Sequence, residues 1–329
     1  MKLRLFALLL SLVLLLPVVS CTVPQDETEI NIYTLNGTTG FGMAKLMSDA
    51  KSDEALSGYK FEVKSDASDV TAALINGDAD IAALPTNAAS NVYNVTNGKV
   101  KILAVNTLGC LYLLTNQNAT AKSFEDLKGK TVYVPAQNPT FIFKYLCEKN
   151  GLTVGKDITI DSTSYAAPAA LKDAVAQGVV DLAVLPEPMV TLATSAAKKS
   201  GAATLTVAMD LTEQWNLVSE KDTLVQGCVV VRSEFLESHP EAVTKFLAAY
   251  KESIQYLEED LEAASQMIKD NGIFTNAEVA KAAIPKCNVC YMDGAAMKSA
   301  MNTYLSVLYG INPAAVGGAL PADDFYYIP

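Results

Sequence analysis

The chain has 329 residues, of which 50% are apolar, and its mean hydropathy is +0.20. That length and apolar content predict a large buried core and about two domains. With 25 Lys+Arg against 36 Asp+Glu and a formal net charge of −11, the chain lacks the basic clusters that nucleic-acid binding needs. The single histidine, His239, argues against His-centred catalysis and against multi-His metal sites.

The N-terminus has the pattern of an export signal. Lys2 and Arg4 precede an apolar run from Leu5 to Leu16, and Val18-Val19-Ser20-Cys21 follows. This pattern predicts a signal peptide over residues 1–20 and a lipidated tether over residues 21–29, with the lipid on Cys21. The alternative is an ordinary signal peptide followed by an incidental cysteine. Lipidation would anchor an extracytoplasmic protein to a bacterial cell membrane.

Strands and helices alternate along the first hundred residues of the mature chain. Apolar patterning predicts strands at Glu29–Leu35, Tyr59–Val63, Asp80–Leu84 and Val100–Val105, with helices at Phe41–Asp49, Val70–Ile75 and near Ala88. This rhythm is typical of an α/β fold with a mostly parallel sheet covered on both faces.

The same unit then recurs about a hundred residues later. Gly77, Asp80 and Pro85 are matched by Gly178, Asp181 and Pro186 at an offset of 101, and the strand starting at Ile32 is matched by the one at Val132 at an offset of 100. Two copies of one unit predict two similar lobes.

Two strand-like segments that share Gly-Cys, residues 108–114 and 225–231, are interpreted as hinge strands between the lobes. Lobe I would then comprise residues 30–107 plus 225–329, and the inserted lobe II residues 108–224. Ser238 to Glu241 reads as a capping box opening a helix to about Glu258, and further helices are expected at 260–270, 276–284 and 294–309.

Cys287 and Cys290 form a lone C-x-x-C. Since few other soft ligands are available, the pattern predicts a local disulfide or two buried thiols, and neither a metal site nor any cofactor. Nucleophilic triads, P-loops and dinucleotide motifs are absent from the sequence, so no catalytic residues are predicted.

Polar loops that follow predicted strands and open helices are the candidate ligand site. In open α/β sheets, ligands bind beyond the carboxyl ends of strands, beside free helix N–H groups. Each of these residues could instead serve only as a helix cap. The candidates are Asn36, Gly37, Thr38, Thr39, Thr86, Asn87, Gln137, Asn138, Thr140 and Glu187.

Taken together, these features resemble the extracytoplasmic solute-binding proteins of ABC transporters, in the nitrate, sulfonate, taurine and thiamine-pyrimidine-precursor group. The resemblance covers nearly all of the mature chain. Its carriers are the lipobox at Cys21, the two Ala-Leu…Gly-x-x-Asp-x-Ala units (73–82 and 170–183), the segment 124–132, Glu187-Pro188, and Phe235 with His239-Pro240-Glu241. It implies a two-lobed type II periplasmic binding fold with two hinge strands and an interlobe cleft. It also implies a small-molecule ligand, an ABC permease as partner, and a monomer without enzymatic activity.

The ligand class is inferred from charge. Arg232 is the only arginine left after signal removal and lies past the second hinge strand, whereas Glu187 in the cleft would repel an anion. The expected ligand is therefore a neutral or weakly cationic, pyrimidine-like molecule, with Tyr165 or Trp215 available for stacking. For Trp215, a partly exposed loop position is the slightly favoured interpretation. The alternatives are an anion-binding protein of the sulfonate, nitrate or taurine type, a lyase on the same scaffold, and a sensory or adhesive lipoprotein.

Overall fold

A computed structural model describes residues 28–328; the predicted signal peptide and Cys21 lie outside the described residues. The eleven strands of this region are β1 (Ile30–Leu35), β2 (Tyr59–Lys64), β3 (Ile81–Pro85), β4 (Val100–Thr107), β5 (Leu111–Thr115), β6 (Thr131–Tyr133), β7 (Thr159–Asp161), β8 (Leu182–Pro186), β9 (Thr206–Asp210), β10 (Gly227–Arg232) and β11 (Val289–Met292).

The α-helices of the same region surround the strands. They are α1 (Thr38–Phe41), α2 (Ala44–Asp49), α3 (Ala67–Asn76), α4 (Thr86–Val95), α5 (Asn138–Lys149), α6 (Pro168–Ala176), α7 (Met189–Ser200), α8 (Leu211–Val218), α9 (Ser233–Ser238), α10 (Pro240–Glu259), α11 (Leu261–Asp270), α12 (Ala277–Ala283) and α13 (Gly294–Ile311). None of the helices in residues 28–328 combines the length and apolarity needed to span a membrane.

The strands form two sheets. The first has the order β11-β4-β10-β3-β1-β2, and the second has the order β7-β6-β8-β5-β9. In the first sheet β1 pairs in parallel with β2 and β3, and in the second β6 pairs in parallel with β7 and β8. The α/β fold with two sheets agrees with the predicted type II binding-protein fold. The expectation of mostly parallel sheets is wrong, because β10 and β5 run antiparallel to the strands beside them.

Those antiparallel strands are the ones through which the chain enters a sheet from the other half of the molecule. After β4 in the first sheet, residues 108–110 lead to β5 in the second, and residues 219–226 lead from α8 back to β10 in the first. The two predicted hinge segments are thus strands, each beginning directly after a crossing. The proposed lobe limits at 107/108 and 224/225 stay a prediction.

The repeated unit appears in three dimensions as α3–β3 in one half and α6–β8 in the other. Gly77 and Gly178 both follow the helix at positive φ (85° and 72°), where a side chain would be strained, which explains why the repeat carries glycine there.

A shared hydrophobic core joins the two halves of the molecule. One hydrophobic cluster contains buried residues of both sheets, and α13 packs against both β4 and α5. Trp215 on α8 lies between Tyr145 and Tyr304, with ring centroids 4.8 and 5.8 Å away. The prediction of Trp215 as a partly exposed loop residue is wrong, because it is a fully buried helix residue whose indole N–H donates to Thr223 Oγ1 (2.9 Å).

One other sequence expectation, the capping box at Ser238, is corrected by local contacts. Ser238 does not cap α10; the residue preceding this helix is His239, which stacks on Phe235. Ser238 Oγ instead donates to the Glu234 carbonyl. Strand β11 was not predicted, since it is only four residues long, overlaps the C-x-x-C at Val289 and Cys290, and is half-buried throughout without alternation. The C-terminal segment contains a short 3₁₀ turn at Asp323–Phe325.

Candidate functional site

A cleft of about 320 Å³ lies between the two sheets, beyond the carboxyl ends of the parallel strands β1, β3 and β8. Helices α4, α5, α6 and α7 begin beside it. Its lining residues are Asn36, Gly37, Thr38, Thr39, Pro85, Thr107, Cys110, Asn138, Pro168, Pro186, Glu187, Pro188, Met189, Gln226 and Phe274. The topology of open α/β sheets predicts a ligand site at this position.

The loop after β1 forms one wall of the cleft. Gly37 has φ +82° and precedes α1, and a Cβ on Gly40 would lie 2.1 Å from the Leu35 carbonyl oxygen, so both positions require glycine. Thr38 is buried, and its hydroxyl donates to the carbonyl oxygen of Glu187 over 2.9 Å. This hydrogen bond joins the first half of the molecule to the second across the cleft.

Glu187 follows β8 and is 2% exposed. Its two carboxylate oxygens accept from the backbone N–H (3.1 Å) and the hydroxyl (3.0 Å) of Thr191, so the side chain caps the first turn of α7. Lys286 Nζ lies 3.9 Å away on the other half. Burial raises the pKa of Glu187, and the Thr191 hydrogen bonds and the Lys286 charge only partly oppose that shift. The helix-capping interpretation of Glu187 therefore accounts for its local contacts.

The start of α5 forms the opposite wall. Gln137 has φ +67°, an uncommon conformation for a residue with a side chain, and it precedes Asn138 at the first helical position. Asn138 Nδ2 donates to Asn87 Oδ1 over 2.7 Å, which is a second hydrogen bond between the two halves. Asn138 Oδ1 is shut off from solvent and has no hydrogen-bond partner in the described region.

The remaining predicted site residues lie behind or beside the lining. The Thr86 hydroxyl donates to the Val225 carbonyl (2.8 Å) and the Thr140 hydroxyl to the Pro135 carbonyl (2.7 Å), so both are used within the protein. Asn87 and Gln137 adjoin lining residues without lining the cleft themselves. Tyr165 packs edge-on against Tyr133, with ring centroids 5.7 Å apart, and does not line the cleft. Neither Tyr165 nor Trp215 is placed to stack on a ligand there.

Several lining residues were not predicted. Pro85 and Pro186 are the matched prolines of the internal repeat, and Gln226 lies within the second predicted hinge strand (225–231). The sequence therefore held a signal for these three residues. Gln226 Oε1 accepts from the Cys110 N–H over 2.9 Å, which ties together the two crossing segments. Phe274 gave no sequence signal, because it enters the cleft from the loop after α11.

Charge in the cleft is sparse. Among the lining residues of the described chain, none is Lys, Arg or His, and Glu187 is the one carboxylate. Arg232 lies elsewhere on the first sheet, where its guanidinium donates to Asp80 (2.7 Å) and to the Ala79 carbonyl (3.1 Å). Arg232 is therefore not available as an anion clamp in the cleft.

The cysteines of residues 28–328 are all free thiols. Of the C-x-x-C pair Cys287 is buried and Cys290 is half-buried, so the second of the two alternatives holds in full only for Cys287. Cys110 lines the cleft, and Cys287 Sγ lies 3.6 Å from Thr38 Oγ1. Burial raises the pKa of the Cys110 thiol to about 12. No group of three or more metal-ligating side chains occurs in the part of the chain that the structure describes.

Comparison with known proteins gives one family and many similar folds. Residues 50–282 match the family model described as ABC transporter, phosphonate, periplasmic substrate-binding protein. A comparison with curated protein sequences finds no match.

The similar solved structures include an ABC transporter protein from Parabacteroides distasonis (24% identity, TM-score 0.75, covering 92% of this chain and 99% of that one). The periplasmic aliphatic sulphonate binding protein SsuA from Escherichia coli is 17% identical, with a TM-score of 0.71 and 92% of both chains covered. The periplasmic nitrate-binding protein NrtA from Synechocystis PCC 6803 is 16% identical, with a TM-score of 0.56, covering 77% of this chain and 68% of that one. At these identities the similarity shows the shared fold.

Proposed function

This chain belongs to the family of periplasmic substrate-binding proteins of phosphonate ABC transporters, and we propose that its own ligand is a neutral or weakly cationic, hydrogen-bonding heteroaromatic molecule of the aminopyrimidine type. As a member of that family it is the substrate-binding component of an ABC importer, which binds a small molecule outside the cytoplasm and delivers it to a permease.

The observation that carries the proposed ligand is the chemistry of the cleft wall. The lining offers a buried carboxylate at Glu187 and no cationic side chain, whereas four of its residues, Pro85, Pro168, Pro186 and Pro188, are prolines. Proline has no backbone N–H, so these positions cannot donate to an oxyanion. These four positions therefore supply no backbone donor, and the donors that the wall retains are neutral side chains such as Asn36, Thr39 and Gln226.

The helix N-termini at the cleft do not compensate for the lack of a cationic side chain in its wall. A helix start attracts an anion by about 0.3–1 kcal/mol. At α7 the Thr191 N–H is already bonded to Glu187, and at α4 the Thr86 N–H donates to the Gln226 carbonyl. The N-termini of α5 and α6 together would stabilise a bound anion by about 1–2 kcal/mol. An ionised Glu187 about 5 Å from an anionic group would oppose it by about 3 kcal/mol at an effective dielectric constant of 20. The exposed ammonium of Lys286, 3.9 Å from that carboxylate, would offset part of this repulsion.

An aromatic surface is available for a flat ligand. Phe274 lines the cleft and is only partly buried, and its ring packs edge-on against Phe41 with centroids 6.3 Å apart. The proline rings and Met189 complete an apolar wall that suits the face of a heteroaromatic ring. In this proposal Phe274 replaces Tyr165 and Trp215 as the stacking residue.

Closure about the two crossing segments, residues 108–110 and 219–226, would enclose the ligand, and the protein would release it chemically unaltered. The proposal includes a lipid anchor on Cys21 and a monomeric state. It keeps the ligand contacts expected for Asn36, Gly37, Thr38, Thr39, Asn138 and Glu187, which line the cleft.

A second candidate ligand is an oxyanion bound together with a proton. It is favoured by the raised pKa of Glu187, since a protonated carboxyl loses its repulsive charge and can donate a hydrogen bond. This candidate predicts that anion binding strengthens as the pH falls, whereas binding of an aminopyrimidine through an ionised Glu187 does not require a low pH.

Calorimetry on the mature protein at pH 7.5 and pH 5.0 tests the proposal, with 4-aminopyrimidine, methylphosphonate, taurine and nitrate as probes. We expect 4-aminopyrimidine to bind at pH 7.5 and the three anions not to bind. Phe274→Leu should weaken that binding, whereas Phe61→Leu on β2, away from the cleft, should not. Binding of an anion at pH 7.5 with none of the pyrimidine would overturn the proposal, and anion binding confined to pH 5.0 would establish the second candidate.

A further inference from the structure

A row of three groups leads from the C-terminal part of the chain into the cleft. The carbonyl oxygen of Ala315, in the 3₁₀ turn Pro313–Val316, accepts from Asn87 Nδ2 over 3.4 Å. Asn87 Oδ1 accepts from Asn138 Nδ2 over 2.7 Å. Asn138 lines the cleft, and its own Oδ1 has no partner among residues 28–328 and no contact with solvent.

The backbone carbonyl of Ala315 determines which group donates and which accepts along this row. A backbone carbonyl can only accept, so the Asn87 amide must turn its NH₂ group toward Ala315 and its oxygen toward Asn138. Asn138 must then turn its NH₂ group toward Asn87. The atom of the Asn138 amide that remains unpaired is an oxygen, and an oxygen of this kind can only accept.

We propose that Asn138 Oδ1, held in this orientation by Asn87, is the acceptor through which the cleft selects ligands that present an N–H or O–H donor. This inference rests on the proposed function and narrows its ligand class: the ligand needs a donor at the position facing Asn138, whatever its ring. Asn138 would contact the ligand, and Asn87 is a positioning residue.

The unpaired oxygen also links recognition to closure. With the two halves joined by the Asn138–Asn87 hydrogen bond, Asn138 Oδ1 is buried without a donor, which disfavours this arrangement. A ligand that donates to Oδ1 removes that cost, and a ligand of the same shape without a donor does not. The closed arrangement would therefore be favoured selectively by donor-bearing ligands.

The test compares two probes of nearly equal shape, 4-aminopyrimidine and 4-methylpyrimidine, which differ in one donor group. Calorimetry on the wild-type protein should show at least tenfold tighter binding of the amino compound. In Asn138→Leu this preference should fall to about twofold or less. Asn138→Leu should keep the wild-type affinity for 4-methylpyrimidine, whereas a general loss of cleft structure would weaken the binding of both probes.

Asn87 supplies the matched pair of variants. Asn87→Asp keeps an acceptor for Asn138 Nδ2 and should preserve the preference. Its second oxygen would face the Ala315 carbonyl, so this variant should be less stable than wild type, although that carbonyl keeps a donor from Asn91 Nδ2 (3.1 Å). Asn87→Leu frees the Asn138 amide to rotate and should reduce the preference several-fold. Asn302→Asp on α13, which keeps the acceptor for the Tyr326 hydroxyl, adds the same charge far from the cleft and should change nothing.

Two sets of results would overturn parts of this account, and they are distinguishable. Equal binding of both probes by wild type, or an unchanged preference in Asn138→Leu, refutes the role of Asn138 and leaves the proposed function standing. Binding of neither probe, with or without binding of methylphosphonate, refutes the proposed function itself.

Discussion

Replacing Thr38 with valine removes one hydrogen bond that joins the two halves of the molecule and leaves the shape of the side chain almost unchanged. The Thr38 hydroxyl is buried and donates over 2.9 Å to the carbonyl oxygen of Glu187. A valine side chain has no donor, so that carbonyl would be left unpaired in a buried position.

The expected cost follows from two opposing terms. A lost hydrogen bond with an unpaired acceptor costs about 1–3 kcal/mol. The methyl group that replaces the hydroxyl recovers about 0.8 kcal/mol through burial. The net destabilisation of Thr38→Val is then about 0.2–2 kcal/mol. Thr38→Ser keeps the donor and loses one methyl group, and it should cost about 0.8 kcal/mol.

Urea denaturation followed by the fluorescence of Trp215, the one tryptophan of the chain, measures these differences. Agreement with circular dichroism establishes that a single transition is being compared. Hydrogen exchange of the peptide over residues 36–41 gives a local readout, because loss of the bond should release this loop in Thr38→Val and not in Thr38→Ser. If residues 36–41 are as protected from exchange in Thr38→Val as in Thr38→Ser, the hydrogen bond does not hold the two halves together.

Three further predictions concern charge and thiols. Burial raises the pKa of Glu187, so its folded form binds a proton more tightly than the unfolded chain, and the stability that it contributes is lost as the pH rises through its folded pKa. Glu187→Gln should therefore be more stable than wild type at pH 7.5 in thermal melts, and this advantage should vanish at pH 4 and below; an advantage that is constant with pH would contradict it. Arg232→Lys should lower the melting temperature by weakening the ion pair with Asp80 (2.7 Å) while leaving 4-aminopyrimidine affinity unchanged, and a changed affinity would show that Arg232 acts on the cleft. Mass spectrometry should show the buried thiols of the folded protein unmodified by iodoacetamide at pH 8 and fully modified in urea, since burial raises the pKa to about 12 at Cys110, Cys147 and Cys290; rapid native labelling would show that the cleft side is more open than described.

The fold could be predicted from the sequence because its signals are local and repeated. The apolar run at β3 and its copy at β8 are continuous, as buried strands require, and each is preceded by a glycine at positive φ. Strand direction could not be predicted in this way. Antiparallel pairing of β5 and β10 arises because the chain crosses between the sheets, and a crossing leaves no periodicity in either strand.

The positions of helix termini also depend on contacts that a sequence pattern does not show. Ser123 and Asp126 form a true capping box, whereas Ser238, which stands in a similar pattern, bonds back to the preceding helix α9. Trp215 was misplaced because α8 is a short helix capped by Asp210, and its buried face is decided by Tyr145 and Tyr304, which are distant in sequence.

At the cleft, the sequence predicted which loops meet but not which atoms face the ligand. The hydroxyls of Thr86 and Thr140 bond to nearby carbonyls, and this depends on backbone positions that no pattern reveals. Phe274 enters the cleft from a loop far along the chain. Such contacts are set by tertiary packing, so they could be found only in the structure.

The internal repeat explains why the two halves hold each other in a reciprocal way. Gly37 and Gln137, one hundred residues apart, both precede a helix at positive φ, with ψ of −158° and −129°. The next residue in each copy, Thr38 or Asn138, reaches across the cleft to the segment that follows the third strand of the other copy, at Glu187 or Asn87. The two hydrogen bonds differ in their acceptors, which are the backbone carbonyl of Glu187 and the side-chain oxygen of Asn87. Selectivity then depends on where the copies differ: Thr38 donates its only hydrogen to a carbonyl, whereas Asn138 donates from one end of its amide and keeps an acceptor at the other.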